Sequence, residues 1–543
     1  MIRGSRFADR TLRRWVLMTG AMLVGGCALF YPIGEKVDSE PEAGTAGAAG
    51  SDHPACGTSD KPCPALQTAE CPVVYPSMWN DPHAVFLGAY AALVPDKPEN
   101  SDLVWTYELA VKEFNDQGGL PDTNGMRHTL VMVICNNDAK LAATDLGFLS
   151  RSLDYLTDVV GVAAIVADLP PKDLIGAFKR TQGKGKDVFF LSPGPANNEL
   201  AGLMDDGRVW SMLGLPVDLA PAYKALLKRI ETYIRSIDRE VGMLRVALVK
   251  SSDPNEPRHE QLGELIDALT RTTDGSPNPN VLEFNSTNLA ANLDADYYRE
   301  YDVARASPAA IGDEIRRWQP HVVISMTGPA FTHFAPIAEE DGVADTIESG
   351  ATDWRYPFFM LSPVNASAWP DIVQTIKSVS QKYADVHRRF LGIDVATADD
   401  PTLYYDYLNH LRTLHPDARE GTENYYDPIY YMAYAMYHAG VDGPVSGEGM
   451  LAGMLATLAG VRYDVGPRPI PKVFEALQPG KQASIKLVGT MGEPNFDRTG
   501  TRVNRAALYC FASSMSQTPT QQAQVYEGEN WVGDFKSNCY PEF

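Results

Sequence analysis

The residue types that cut, transfer or bind metal are all present in this 543-residue chain, but not at the spacings that would make them act together. No Gly-x-Ser-x-Gly elbow presents a nucleophilic serine. His259-Glu260 has no second His four residues on, so one helix face cannot hold a zinc pair. No P-loop occurs, and no Gly-x-Gly-x-x-Gly opens a βαβ unit; "QGKGK" (182–186) is a lone glycine turn with basic neighbours and reads as surface. "NLDADYY" pairs acids without the spacing of a calcium loop and reads as a solvated loop. Paired carboxylates of the glycosidase kind are not marked by sequence separation, and nothing favours them. The ten His do not cluster and read as surface or structural residues. These patterns predict a protein that is not an enzyme, with no catalytic residues, no cofactor and no metal.

The seven Cys divide into one and six. The first, Cys27, follows five Arg in "MIRGSRFADRTLRRW" and the short apolar run "WVLMTGAMLVGG". That order is the plan of a signal peptide over residues 1–26, too short in its apolar part to span a bilayer comfortably. "LVGGC" resembles a bacterial lipobox, which implies lipidation of Cys27. Ala28 resembles the residue after the Cys in lipoproteins sorted to the outer membrane. "RRWVL" loosely resembles a twin-arginine signal, so the export route stays open. The formal charge is −22, and removal of five Arg and one Asp with the signal makes the mature chain still more acidic. This disfavours a nucleic-acid partner, which needs clustered Lys and Arg. "VDSEPEAGTAGAAGSD" (37–52) cannot bury enough apolar surface to fold and reads as tether; residues 27–79 together are taken as lipidated Cys and flexible linker. The other six, Cys56, Cys63, Cys71, Cys135, Cys510 and Cys539, are disulfide candidates in an exported chain. Cys56 with Cys63 and Cys510 with Cys539 are possible local clips, and the connectivity stays open.

From about residue 83, apolar or β-branched runs alternate with helical patterns. "HAVFLGAY" (83–90), "HTLVMVIC" (128–135), "VVGVAAIVA" (159–167) and "DVFFLSP" (187–193) read as buried strands. Tyr107, Ala110, Val111 and Phe114 mark one helix face between the first two. "VWSMLGLP" (209–216) reads as a crossing, after which the rhythm restarts with "LRVALVK" (244–250), "NVLEFNS" (280–286), "HVVISMTG" (321–328) and "YPFFMLSP" (356–363). The stretch 370–480 reads as mainly helical, and 286–307 and 392–423 as insertions. Continuous apolar strands alternating with helices predict an α/β protein of two doubly wound lobes with parallel sheets.

In order along the chain, "ELAVKEFNDQGGL", "HTLVMVICNNDA", "VVGVAAIVA", "LSPGPANNEL", "LRVALVKSSD", "PHVVISMTGP", "YYDPIYYMAYAMYHAG" and "MGEPNFDRTG" resemble the type I periplasmic binding protein family. Within it they look most like branched-chain amino-acid-binding proteins and receptor ligand-binding regions. The motif positions are Asn115 to Gly119, Asp138, Ser192 to Asn197, Tyr426-Asp427 and Phe496-Asp497 to Gly500. The resemblance implies two Rossmann-like lobes on a hinge, with 80–214 and 366–475 in lobe 1 and 215–365 and 476–543 in lobe 2. It implies a ligand between the lobes, contacted by Tyr90, Asp168, Leu169, Ser192 and Asn197 from one and Ser251, Asp253, Thr327 and Ser362 from the other. Each of these also has an ordinary role as a cap, turn or core residue. Tyr425, Tyr426, Tyr430, Tyr431 and Tyr434 read as core rather than as an aromatic cage. The family places a Ser after the third strand to hold a ligand carboxylate; "ADLPPKD" has Asp168 and two Pro instead, which argues against an α-amino acid held in that way. The expected partners are a small polar ligand and an ABC permease or sensor. The second reading, similar to penicillin-binding-protein activators, is a lipoprotein that binds a cell-wall synthase without a ligand.

Overall fold

The computed structural model describes residues 66–533, with the longer internal gaps at 138–144, 272–277, 290–295, 341–356, 512–519 and most of 369–388. The signal segment, the lipobox, residues 37–52, Cys56, Cys63, Asp138 and Cys539 lie outside the described residues, but the linker expected over 27–79 is corrected at its end: Leu66, Cys71, Val73, Val74 and Trp79 are buried, and Val73–Tyr75 is a strand. Among the described residues no helix is long and apolar enough to cross a membrane.

Unbroken apolar runs make the centres of two sheets. The first contains β1 (Val73–Tyr75), β2 (Val85–Ala91), β3 (Leu130–Asn136), β4 (Ala164–Ala167), β5 (Phe189–Pro195) and β6 (Val209–Leu213), in the spatial order β1-β3-β2-β4-β5-β6. All neighbours are parallel except β1 and β3. Every residue of β2 and β3 is buried, as a sheet covered on both faces requires. The chain leaves β2 for β3 on one side and then crosses to β4 on the other, so the strand order reverses between β2 and β4. The buried Cys71–Cys135 disulfide ties the segment before β1 to the end of β3.

Helix α1 (Asp102–Asp116) follows β2, and its stripe of Tyr107, Ala110, Val111 and Phe114 is fully buried as the spacing predicts. It ends where Gly118 and Gly119 take positive φ of 92° and 83°. A Cβ on Gly119 would stand 2.0 Å from the His128 carbonyl oxygen, so no other residue fits. Helix α2 (Phe148–Asp154) runs into a π-helical turn, Tyr155–Val160. The strand expected over 159–167 therefore starts only at Ala164. Helix α3 (Pro171–Gly183) covers the same face as α2.

The second lobe opens with α4 (Ala220–Ile237), β7 (Val246–Lys250), α5 (His259–Thr270), β8 (Tyr298–Asp302), α6 (Pro308–Trp318), β9 (Val322–Met326), α7 (Phe331–Ala338), β10 (Phe358–Leu361) and β11 (Phe390–Val395). The chain then returns to lobe 1 with α8 (Thr402–Leu414), α9 (Glu423–Ala439), α10 (Gly447–Ala456), the parallel pair β12 (Val461–Asp464) and β13 (Ile485–Val488), and α11 (Ile470–Ala476) between them. It ends in lobe 2 with β14 (Ala506–Phe511), β15 (Thr520–Glu527) and β16 (Asn530–Val532). The second sheet has the order β8-β7-β9-β10-β11-β14-β15-β16, parallel through β11 and antiparallel beyond it.

Strand pairing shifts the expected division. β11 is hydrogen-bonded between β10 and β14, so lobe 2 extends past 365 through Val395, while β13 pairs with β12 in lobe 1. The run "NVLEFNS" gives only a two-residue hairpin arm, Glu283–Phe284 against Thr287–Asn288. The sheet's edge is instead β8, within the stretch that read as an insertion. An edge strand needs no apolar run, and "YREYD" has none.

Three segments join the lobes and lie against one another. At the end of β6 the Gly214 N–H donates to Asn504 Oδ1 (2.9 Å), and Asn504 Nδ2 donates to the Leu215 carbonyl (3.3 Å). Ser211 N–H donates to Gly500 and Arg502 N–H to Ser211, while Ala396 N–H donates to Arg505 at 2.7 Å. A Cβ on Gly214 would sit 1.9 Å from the Arg502 carbonyl oxygen, which fixes glycine at the closest approach.

Candidate functional site

In open parallel sheets a ligand is received beyond the carboxyl ends of the strands, where the strand order reverses. In lobe 1 that place is the end of β2, β3 and β4. Asn137, just past β3, donates its N–H to the Ala91 carbonyl at 3.1 Å. Its side-chain amide donates to the backbone carbonyl of Asp168 and, at 3.1 Å, to Asp168 Oδ2. Tyr425 donates its hydroxyl to Asp168 Oδ1 at 3.2 Å. Asp168 thus stands at the strand ends with one donor on each oxygen. Burial raises its carboxyl above the usual carboxylate range, while Asn137, Tyr425 and the charge of Arg258 hold the rise back.

Arg258 belongs to lobe 2. It precedes α5 in the left-handed conformation, with φ of 59°, and its charge acts on Asp168, on Tyr425 and on Asp394. Asp394, near the end of β11, has its carboxyl pushed up to about 6 by burial, against a bond from the Val395 N–H and the Arg258 charge. It lines a small hollow with Ser362, Gly392 and Tyr509. One cation thus acts on two acids from different lobes.

The residues expected from the sequence have varied positions. Tyr90 is buried, and its hydroxyl meets Ser152 at 3.0 Å inside lobe 1. Leu169 packs in the same core. Ser192 accepts from Gly194 N–H at 3.1 Å within β5, where the pairing with β6 is irregular. Asn197 caps the helical turn Asn198–Ala201 by accepting from Leu200 N–H at 2.8 Å. Ser251 accepts from Asp253 N–H at 3.2 Å in the turn after β7. Thr327 and Ser362 share one buried network: Asn365 donates to the Thr327 carbonyl at 2.6 Å and accepts from Ser362 Oγ at 3.0 Å. Of this set, Asn197 also bonds across to lobe 2, its side-chain amide donating to Glu260 at 3.2 Å, while Asp168 is bonded within lobe 1 and feels the lobe 2 charge of Arg258.

Tyr426, Tyr430, Tyr431 and Tyr434 are buried in lobe 1, as their helical spacing predicts. Tyr425 is half-buried, packs against the same core and has its hydroxyl bonded to Asp168. Asp427 is fully buried and accepts from the Thr490 and Met491 N–H groups at 2.9 and 3.1 Å. It holds the turn after β13 against α9. Asn137, Arg258 and Asp394 carry no sequence signal beyond their types, since only the fold brings their segments together. Among the described residues no group of three or more His, Cys, Asp or Glu could hold a metal ion.

Two doubly wound lobes and three joining segments make up the type I periplasmic binding protein fold. No protein-family model and no curated protein matches the chain. Its structure is similar to that of an ABC transporter substrate-binding protein from Desulfitobacterium hafniense in complex with Leu, at 13% identity over 81% of this chain and 99% of that one, with a TM-score of 0.48. It is similar to the branched-chain amino acid transporter substrate-binding protein of Streptococcus pneumoniae in complex with isoleucine, at 12% identity over 81% and 99%, with a TM-score of 0.48. A solute-binding protein from R. palustris in complex with benzoate is similar at 10% identity over 84% and 99%, again with a TM-score of 0.48.

Proposed function

We propose that this chain is an extracytoplasmic solute-binding protein, held to the outer membrane through lipidated Cys27, that takes a small polar ligand between its lobes. It performs no catalysis and hands the ligand to an ABC permease or a sensor. The observation that carries the reading is the Asp168–Tyr425 pair at the lobe 1 strand ends, facing the charge of Arg258 from lobe 2. Asp168 is the leading contact. Asn197, Ser192, Ser251, Asp253, Thr327 and Ser362 shape the walls, and Tyr90 and Leu169 support them from the core.

A carboxylate at this position repels a ligand carboxylate and favours an amine, amide or hydroxyl. Thermal-shift screening with amines, amides, ureas, sugars and amino acids tests this, because a ligand that binds the folded state raises Tm by mass action. The expected result is a shift with a ligand that lacks a free carboxylate, and its loss in D168A. A shift only with α-amino acids, unchanged in D168A, rejects the site. Labelling with radioactive palmitate, lost in C27S, tests the anchor.

The second reading is a ligand-independent lipoprotein that engages a cell-wall synthase. It is favoured by the candidate hydroxyls of Ser192, Ser251 and Ser362, which already serve bonds within their own segments. Co-purification of such an enzyme with no thermal shift from any ligand would select it.

A further inference from the structure

Helix α5 reaches across from lobe 2 and touches lobe 1 with acids. Glu260 and Glu264 are four residues apart and share a helix face. Glu260 Oε2 accepts from the side-chain amide of Asn197 at 3.2 Å. Both oxygens of Glu264 accept from the backbone N–H of Asn198, at 3.1 and 3.2 Å. The same two Asn residues begin the helical turn after β5, beside the Pro193 carbonyl that Asn424 holds at 2.9 Å. So the protein's own carboxylates span the mouth of the cleft.

Like charges at this spacing repel. On α5 itself Asp267 lies three residues beyond Glu264 and is paired with Arg271 at 3.2 Å. From lobe 1, Asp173 on α3 repels Glu260, with Lys172 beside it as the attracting charge. Glu199 is exposed in the Asn198 turn. Arg258, at the start of α5, directs its charge to Asp168 and Asp394 deeper in the cleft. The carboxylate accepts the Asn198 N–H with both oxygens, a charge-assisted contact. Burial raises the Glu264 carboxyl above its ordinary range; the Asn198 bonds oppose the rise and the Glu260 and Asp267 charges add to it.

We propose that Glu260 and Glu264 form a latch between the lobes that holds the cleft shut without a ligand, through their bonds to Asn197 and Asn198. The latch rests on the cleft reading above but not on any ligand.

Hydrogen exchange on the full chain, without ligand, tests the latch at residues 197–201, comparing proteins at one pH at a time. The expected result at pH 8 is about threefold faster exchange of the Asn198 amide in E264Q than in wild type, since a neutral acceptor replaces a charge-assisted one. At pH 5 the E260A/E264A protein should exchange about tenfold faster than wild type. An unchanged far-ultraviolet circular dichroism melt confirms that each variant folds. Equal protection of Asn198 in all three proteins at both pH values overturns the latch. So does slower exchange in E260A/E264A than in wild type. Neither readout involves a ligand, so failure to find one leaves this result standing.

Discussion

Glu113 is buried in lobe 1 and accepts from Tyr426 and Tyr430 through one oxygen and from His410 Nδ1 at 3.0 Å through the other. Replacing it with Ala leaves two buried hydroxyls without their acceptor, at about 1–3 kcal/mol each. E113A is expected to lose about 3 kcal/mol or more in urea unfolding, and E113Q less. The bond from His410 to Glu113 holds the imidazole pKa above its ordinary value, with burial opposing. The folded state thus binds this proton more tightly than the unfolded one. Its stabilisation is full below about 6.5 and is lost as pH rises through the raised value. Unfolding midpoints should fall from pH 6 to pH 8, and H410N should flatten that fall; equal slopes would remove His410 from the account. Asp394 has the opposite sign. Its carboxyl titrates near 6 in the fold and near 3.9 unfolded, so a penalty grows between those values and persists above them. D394N is expected to be more stable than wild type at pH 7 and no different at pH 3.5. At this scale the sequence marked Asp168, because it stood where a Ser was expected. It did not mark Arg258, whose role depends on a neighbouring lobe.

The elements carry their own tests. The helix α1 face was legible from the spacing of Tyr107, Ala110, Val111 and Phe114, and the helix stops at Asp116 before Gly118 and Gly119 turn the chain with positive φ. G119A forces a Cβ into the His128 carbonyl oxygen and a left-handed backbone on a β-carbon residue. It should cost about 2 kcal/mol or more, read by thermal unfolding. The Cys71–Cys135 bridge closes a loop with a sequence separation of 64. Chain entropy gives it about 4 kcal/mol, so C71S/C135S should lose roughly 2–4 kcal/mol against the oxidised protein. A loss below about 1 kcal/mol would show that the reduced chain keeps this loop closed by other means. Edge strand β8 escaped notice because solvent-facing residues need no apolar run; the central strands did not escape, because burial on both faces leaves no place for charge.

At the scale of the molecule, the joining segments decide how the lobes relate. Asn504 alone bonds both Gly214 and Leu215 at one crossing. N504A leaves the sheets untouched and is expected to increase hydrogen exchange at 211–215 without a large change in the melt; protection equal to wild type would assign the restraint to Arg502 and Arg505. By itself the sequence determined the class of structure. Periodicity and continuous apolar runs fix which segments become strands and helices, and the restart after 216 fixes two lobes. Tertiary structure alone decided where the lobes divide, because β11 and β13 are assigned by hydrogen bonds to distant strands rather than by any local pattern. It also decided the site. Asp168, Arg258, Asp394 and Tyr425 come from four separate segments, and an electrostatic interaction depends on distance in space, which residue spacing along the chain does not encode.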